Sequence, residues 1–189
     1  MRIEIVKYPN DEDWLIVRNH ALFTRRKSTD KVPDEKLKLK FLLSEHSPIY
    51  DLRFVVNFFD IPSWITVHYV RHHEGFIPFI SSQRNDIQHE YDRKKAPQDT
   101  LVNMRFSGNA EAILNISRKR LCHRASSETR SVWMEFLNEL QKYCPELEKC
   151  CVPQCVYRNG ICPEVFEPCG YNKTETFLYK QEKYLKLFE

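Results

Sequence analysis

The sequence predicts an α/β domain of mixed α+β type, a mixed β-sheet flanked by helices, and three observations lead there. The chain has 189 residues, of which 42% are hydrophobic and 13% aromatic, enough to bury one core. Asp51–Phe59 is dense in β-branched and aromatic residues, the composition of a buried strand. Asn109–His123 and Ser127–Tyr143 read as helices, the second with Val132, Trp133, Phe136, Leu137 and Leu140 at helical spacing.

The other elements follow in order. Met1–Tyr8 reads as an opening strand. The stretch onward to Asp34 is polar with little periodicity, and carries no assignment. Lys36–Glu45 is helical, turning Leu37, Leu39, Phe41, Leu42 and Leu43 toward a core, and Pro48 ends it. After the Asp51–Phe59 strand, Pro62 suits the first turn of a helix that continues over Ser63–His72. Ser81–Pro97 is polar and reads as a loop with short pieces of structure. Beyond Pro145 come a Cys/Pro/Gly segment to Tyr171 and a charged aromatic tail, amphipathic over Glu182–Glu189. The organisation expected is a domain over 1–145 with residues 146–189 packed on it.

Composition narrows the function. With 29 Lys and Arg against 26 Asp and Glu, the net charge of +3 gives no basic face for a nucleic-acid polymer. No apolar run approaches the roughly 18 residues of a membrane span, and Met1-Arg2-Ile3-Glu4 lacks a signal-peptide core, so a soluble, cytoplasmic protein is expected. Only 4 glycines are present and neither phosphate-binding glycine motif occurs, so side chains must hold any nucleotide. An odd count of 7 cysteines fits reduced thiols. The spacing Cys151-x3-Cys155-x6-Cys162-x6-Cys169 has one zinc-type interval, so packed free thiols stand as the reading and a structural zinc on those four as its alternative.

Three groups of polar residues are candidates for chemistry. Arg71-His72-His73-Glu74 lies at a helix C-terminus, where cations complement the helix dipole and where they can also hold an anionic ligand. Ser82-Gln83-Arg84 and Arg93 lie along a polar loop; they are either solvated surface or a grip for a phosphate monoester. On the helix from Asn109, Arg120 falls within about 20° of Asn109 on an apolar stripe, and needs a core carboxylate or a ligand. Asn115 lies about 140° from Arg120, so the three polar residues could touch only an extended ligand from different sides.

Taken in register, these residues resemble the flavin-dependent thymidylate synthases. Arg71-His72-His73 through Ser82-Gln83-Arg84 is similar to that family's signature from Arg-His-Arg to Ser-x-Arg, one residue longer. Ser47-Pro48-Ile49-Tyr50-Asp51 precedes it as Thr-Pro-Phe-Glu-His does in the family. Glu90-x-x-Arg93, Ala96-Pro97, the Asn109, Asn115, Arg120 intervals and Arg120-x4-Ala125-Ser126-x-Glu128-Thr129-Arg130 follow. The likeness covers Ser47 to Arg130 and is closest to the short, divergent members met in bacteriophage genomes, which would place the protein in a host cytoplasm. Departures include His73 for Arg, Phe79-Ile80 for Asn-Glu, Asp51 for His and Ser126 for Gln.

The resemblance implies a subunit of a homotetramer with active sites shared between subunits. It implies FAD-dependent transfer of a methylene from methylenetetrahydrofolate to C5 of dUMP, with NADPH as reductant and dTMP as product. Carried over by position, Arg71, His72, His73, Asn109 and Asn115 would contact FAD. Ser82, Gln83, Arg84 and Arg93 would hold dUMP, and Arg120 would sit against the uracil ring as the catalytic cation. The departures leave two alternatives: a variant that makes another modified pyrimidine nucleotide, such as a hydroxymethylated one, or a nucleotide-binding relative without redox activity.

Overall fold

The computed structural model describes residues 1–87, 92 and 94–189. Its sheet has four strands, β1 (Arg2–Lys7), β2 (Arg53–Pro62), β3 (Phe76–Ile80) and β4 (Leu101–Asn109), in the order β1-β2-β4-β3. The α/β class expected from sequence is borne out, with one correction. Every pairing in the sheet is antiparallel, so it is not a mixed sheet. The physical reason is connectivity: among the described residues no helix serves as a crossover between two parallel neighbours.

β2 alternates as a one-sided strand should. Phe54, Val56 and Phe58 point into the core, while Val55, Asn57 and Phe59 take the other face. Opposite it, β4 sends Val102, Met104 and Phe106 inward. The register breaks between Phe58 and Ile61, where Asp60 takes φ 57° and its N–H donates to Asn103 Oδ1 at 3.1 Å. The second face of the sheet, with Asn57, Phe79 and Arg105, stays exposed.

The helices cover the first face. They are α1 (Asp11–Phe23), α2 (Glu35–Leu43), α3 (Ser63–Val70), α4 (Ala110–Arg120), α5 (Ser127–Leu140), α6 (Pro145–Cys150), α7 (Gln154–Tyr157) and α8 (Glu175–Leu185). Side-chain caps start several of them. Asn109 accepts from Ala112 N at the head of α4, and Ser126 from Thr129 N at the head of α5. The core at the α3–α4–α5 side is aromatic: Phe58, Tyr69, Phe106, Trp133 and Phe136 meet in stacked, tilted and edge-on pairs. Its two buried polar tips are satisfied, since Trp133 Nε1 donates to Ser117 Oγ at 2.9 Å and Tyr69 OH to Thr129 O at 2.9 Å.

α1 occupies the stretch that carried no assignment, and β3 and β4 lie where no strand was expected. After α6, a smaller cluster of Val152, Cys155, Val156, Tyr171, Phe177 and Tyr184 gathers the cysteine-rich segment against α8, which begins seven residues before the amphipathic stretch seen in the sequence. No described helix is long and apolar enough to cross a membrane.

Candidate functional site

The end of α3, the end of α4 and the start of α5 converge. α3 stops at Val70, and Arg71–Glu74 lead into Gly75, whose φ of 67° is the left-handed region that suits glycine. A Cβ at Gly75 would lie 2.6 Å from Asn109 Nδ2, so the turn can pass the head of α4 only as glycine. Gly75 O in turn accepts from Asn109 N at 3.0 Å.

Arg120, on the last turn of α4, reaches across this junction. Its Nε donates to His72 Nε2 at 3.0 Å, and its Nη2 donates to His68 O at 2.5 Å. The remaining amino group, Nη1, makes no hydrogen bond among the described residues. Since His72 Nε2 accepts a proton, His72 carries its own on Nδ1 and is neutral. Burial and then the neighbouring Arg120 charge push its pKa down to about 4. Of the His72–Arg120 pair, the charged member is therefore Arg120.

His68, one turn before His72, is braced from α5. Ser126 Oγ donates to Thr129 Oγ1 at 2.7 Å, and Thr129 Oγ1 lies 2.7 Å from His68 Nδ1. With Thr129 passing its hydroxyl proton on to Nδ1, His68 keeps its own proton on Nε2. Burial, and then Arg120 and Arg71, hold its pKa below the ordinary value.

His68 lines a groove of about 650 Å³ together with Trp64, Ser81, Gln83, Arg84 and Gln98. Gln83 also belongs to a smaller hollow beside it with Ser81 and Ser82. Ser82 Oγ accepts from Arg84 N at 3.2 Å, which closes the loop on itself. The Nε/Nη2 edge of the Arg84 guanidinium is taken by Asp86, Nε donating to Oδ1 at 3.0 Å and Nη2 to Oδ2 at 2.5 Å. That pair is exposed and weak, so an anion can displace it. Arg93 and Glu90 lie outside the described residues.

The predicted residues thus fall into two places. Arg71, His72, His73 and Arg120 share the α3–α4 junction; Gln83 and Arg84 share the groove, and His68 joins the two through its carbonyl and ring. The two asparagines stand apart. Asn109 is a buried helix cap, its Oδ1 accepting from Ala112 N at 2.8 Å. Asn115 donates to Glu111 Oε1 at 2.9 Å and accepts from Arg118 Nη1 at 2.9 Å, so both ends of its amide are used. The pairing with a core carboxylate that was one reading of Arg120 belongs instead to Arg118. It forms a two-pronged bond with Glu45, at 3.0 and 2.5 Å, and lies over the Tyr157 ring at 3.7 Å.

Sequence reasoning passed over His68 and Trp64, although Trp64 and His68 on α3 and His72 just beyond its end follow each other at four-residue steps. The four cysteines named for the zinc alternative do not form a ligand set: among the described residues no three or more His, Cys, Asp or Glu side chains are grouped to hold a metal ion. Cys151 and Cys155 are buried in packing, while Cys169 is exposed. Cys151 stands apart from the other three, its thiol pKa raised by burial beside Ser117 and Cys150, whereas Cys155 feels Cys122 and Cys169.

Part of the chain is similar in sequence to known proteins. Residues 80–146 match the family described as thymidylate synthase complementing protein. A flavin-dependent thymidylate synthase from Clostridium tetani is 43% identical over 65 residues. Over this stretch the chain is similar to a flavin-dependent thymidylate synthase. The C. tetani match takes in 34% of the chain and 25% of the relative, so the chain spans about a quarter of that curated relative's length. Two crystal structures of the Helicobacter pylori flavin-dependent thymidylate synthase with FAD and dUMP superpose with TM-scores of 0.65 and 0.64 at 12% identity. They cover 80% of this chain and 100% and 99% of theirs, a likeness of fold. The stretch matched to the family contains Ser82–Arg84, all of α4 and α5, and Arg120, and begins after Arg71–His73.

Proposed function

We propose that the chain is a flavin-dependent thymidylate synthase that forms dTMP from dUMP, with methylenetetrahydrofolate as carbon donor and NADPH as reductant. The observation that carries this reading is Arg120, a partly buried guanidinium fixed at two nitrogens by neutral His72 and the His68 carbonyl, with Nη1 left over, inside the stretch related to known synthases. As C5 of the pyrimidine acts as nucleophile, negative charge develops on the ring, and a cation already oriented stabilises it without reorganising. The neutrality of His72 spares Arg120 a positive charge beyond that of Arg71. No nucleophile on the protein is required. Gln83, Arg84 and Ser82 would take the phosphate, Arg84 exchanging Asp86 for it, and Arg93 would belong to the same grip.

The chain's own side chains fit FAD in part. Arg71 and His73 are exposed at the end of α3 and suit its phosphates, whereas Asn115 uses both ends of its amide and Asn109 uses its Oδ1 as a helix cap. FAD, held at Arg71 and His73, would supply the redox chemistry of the transfer. A homotetramer with shared sites would bring the junction of one subunit against the groove of another. A second reading, a nucleotide-binding relative without redox activity, is favoured by the Asn115 amide, which is held at both ends by Glu111 and Arg118. No feature singles out hydroxymethylation.

The visible absorption spectrum of the purified protein, before and after loading with FAD and removal of the excess, separates the two. A retained flavin band supports the synthase. A protein that cannot be loaded, yet binds dUMP in calorimetry, supports the second reading.

A further inference from the structure

Trp64 has no task in the reading above. It stands on α3 one turn before His68, and its ring meets the imidazole edge-on, centroids 5.6 Å apart at 75°. It is partly exposed and lines the groove that holds Gln83 and Arg84. The other two tryptophans are buried, Trp14 at 2% and Trp133 at 0% relative exposure. Ile80 and Val102 complete an apolar wall beside Trp64, while Ser81, Gln83, Arg84 and Gln98 supply the polar groups. A groove of about 650 Å³ with one flat aromatic wall and a guanidinium within the same lining suits a ligand that is flat at one end and anionic at the other.

We infer that Trp64 is the base-stacking wall of this groove: a nucleoside monophosphate lies with its phosphate at Gln83 and Arg84 and its ring on the indole. The edge-on contact with His68 fixes the plane of the indole, and the Ser126–Thr129–His68 chain fixes His68 in turn. Stacking on an aromatic face is available to any nucleobase, so Trp64 sets affinity for the base and leaves base identity to hydrogen-bonding groups. The inference rests on the nucleotide reading of the groove and adds to it the position of the ring.

The test uses the full chain, as purified and with FAD added. Because Trp14 and Trp133 are buried, a ligand-dependent change in tryptophan emission comes from Trp64. Titration with dUMP is expected to quench the emission, and titration with deoxyribose 5-phosphate, which has no base, is not. In calorimetry Trp64→Ala is expected to weaken dUMP about tenfold or more and leave deoxyribose 5-phosphate unchanged. Trp64→Phe, which keeps an aromatic face, should stay within a few-fold of the parent and covers the case in which the alanine variant fails to fold. Binding of dUMP with no quench and no loss in Trp64→Ala would overturn the stacking role while the nucleotide reading stands. Failure of the parent chain to bind dUMP at all, with or without FAD, would overturn both.

Discussion

Replacing Arg120 with Gln is expected to raise the pKa of His72 from about 4 without returning it to the ordinary value near 6.5. Burial is the larger cause of the depression and survives the substitution; the Arg120 charge, the second cause, is removed. The sign of the stability effect follows from the order of the two values. As pH falls below 6.5 the unfolded chain takes up a proton that the folded His72 refuses. Stability contributed by neutral His72 is therefore complete above pH 6.5 and is lost as pH falls from 6.5 to about 4. A displacement of that size corresponds to about 3 kcal/mol at most, and His72 is partly exposed, so on the order of 1–2 kcal/mol is expected. The assay is the titration of the histidine Cε1–H resonances by NMR, with a His72→Gln variant to assign the signal, since His68 and His123 are also held below the ordinary value. Urea unfolding of parent and Arg120→Gln at pH 7.5 and pH 5 checks the energetics. His72 titrating near 6.5 in the parent, or unmoved by Arg120→Gln, would refute the hydrogen-bond assignment at the junction.

Arg118→Ala leaves the Glu45 carboxylate without its partner beside Glu111, whose Oε2 is buried and without a hydrogen bond among the described residues. A loss of about 3 kcal/mol in urea unfolding is expected. Gly75→Ala combines a left-handed φ with a contact 2.6 Å from the Asn109 amide, and a loss of about 1–3 kcal/mol is expected by the same method. Thiol titration of the native protein at pH 8 should find Cys169 reacting first, with Cys144 and Cys150 silent until unfolding, because burial pushes their thiols up to about 12.

Much of the helical half was legible in the sequence, for reasons visible in the structure. α4 and α5 announce themselves through the caps Asn109 and Ser126 and through wide buried stripes. α1 was not legible by periodicity because it buries only Trp14 and Val17 among its 13 residues; its signal was the Asn10–Asp13 capping box. β4 carries an inward Val102, Met104 and Phe106 between outward Asn103 and Arg105, a two-residue period easily passed over beside a long polar loop. In the site, an arginine on an apolar stripe marked Arg120 as a residue needing a partner. Which partner it finds depends on where α3 crosses α4, and nothing local encodes that crossing. Arg118 escaped notice for the same reason: Glu45 lies 73 positions away in sequence and reaches it through a left-handed turn after α2.

The most direct test is tritium release from C5-labelled dUMP in the presence of FAD, NADPH and methylenetetrahydrofolate. Release that requires all three, and that Arg120→Ala abolishes while dUMP still binds, is the result predicted for a thymidylate synthase acting through this junction. Bound dUMP with no release in the complete mixture would contradict it.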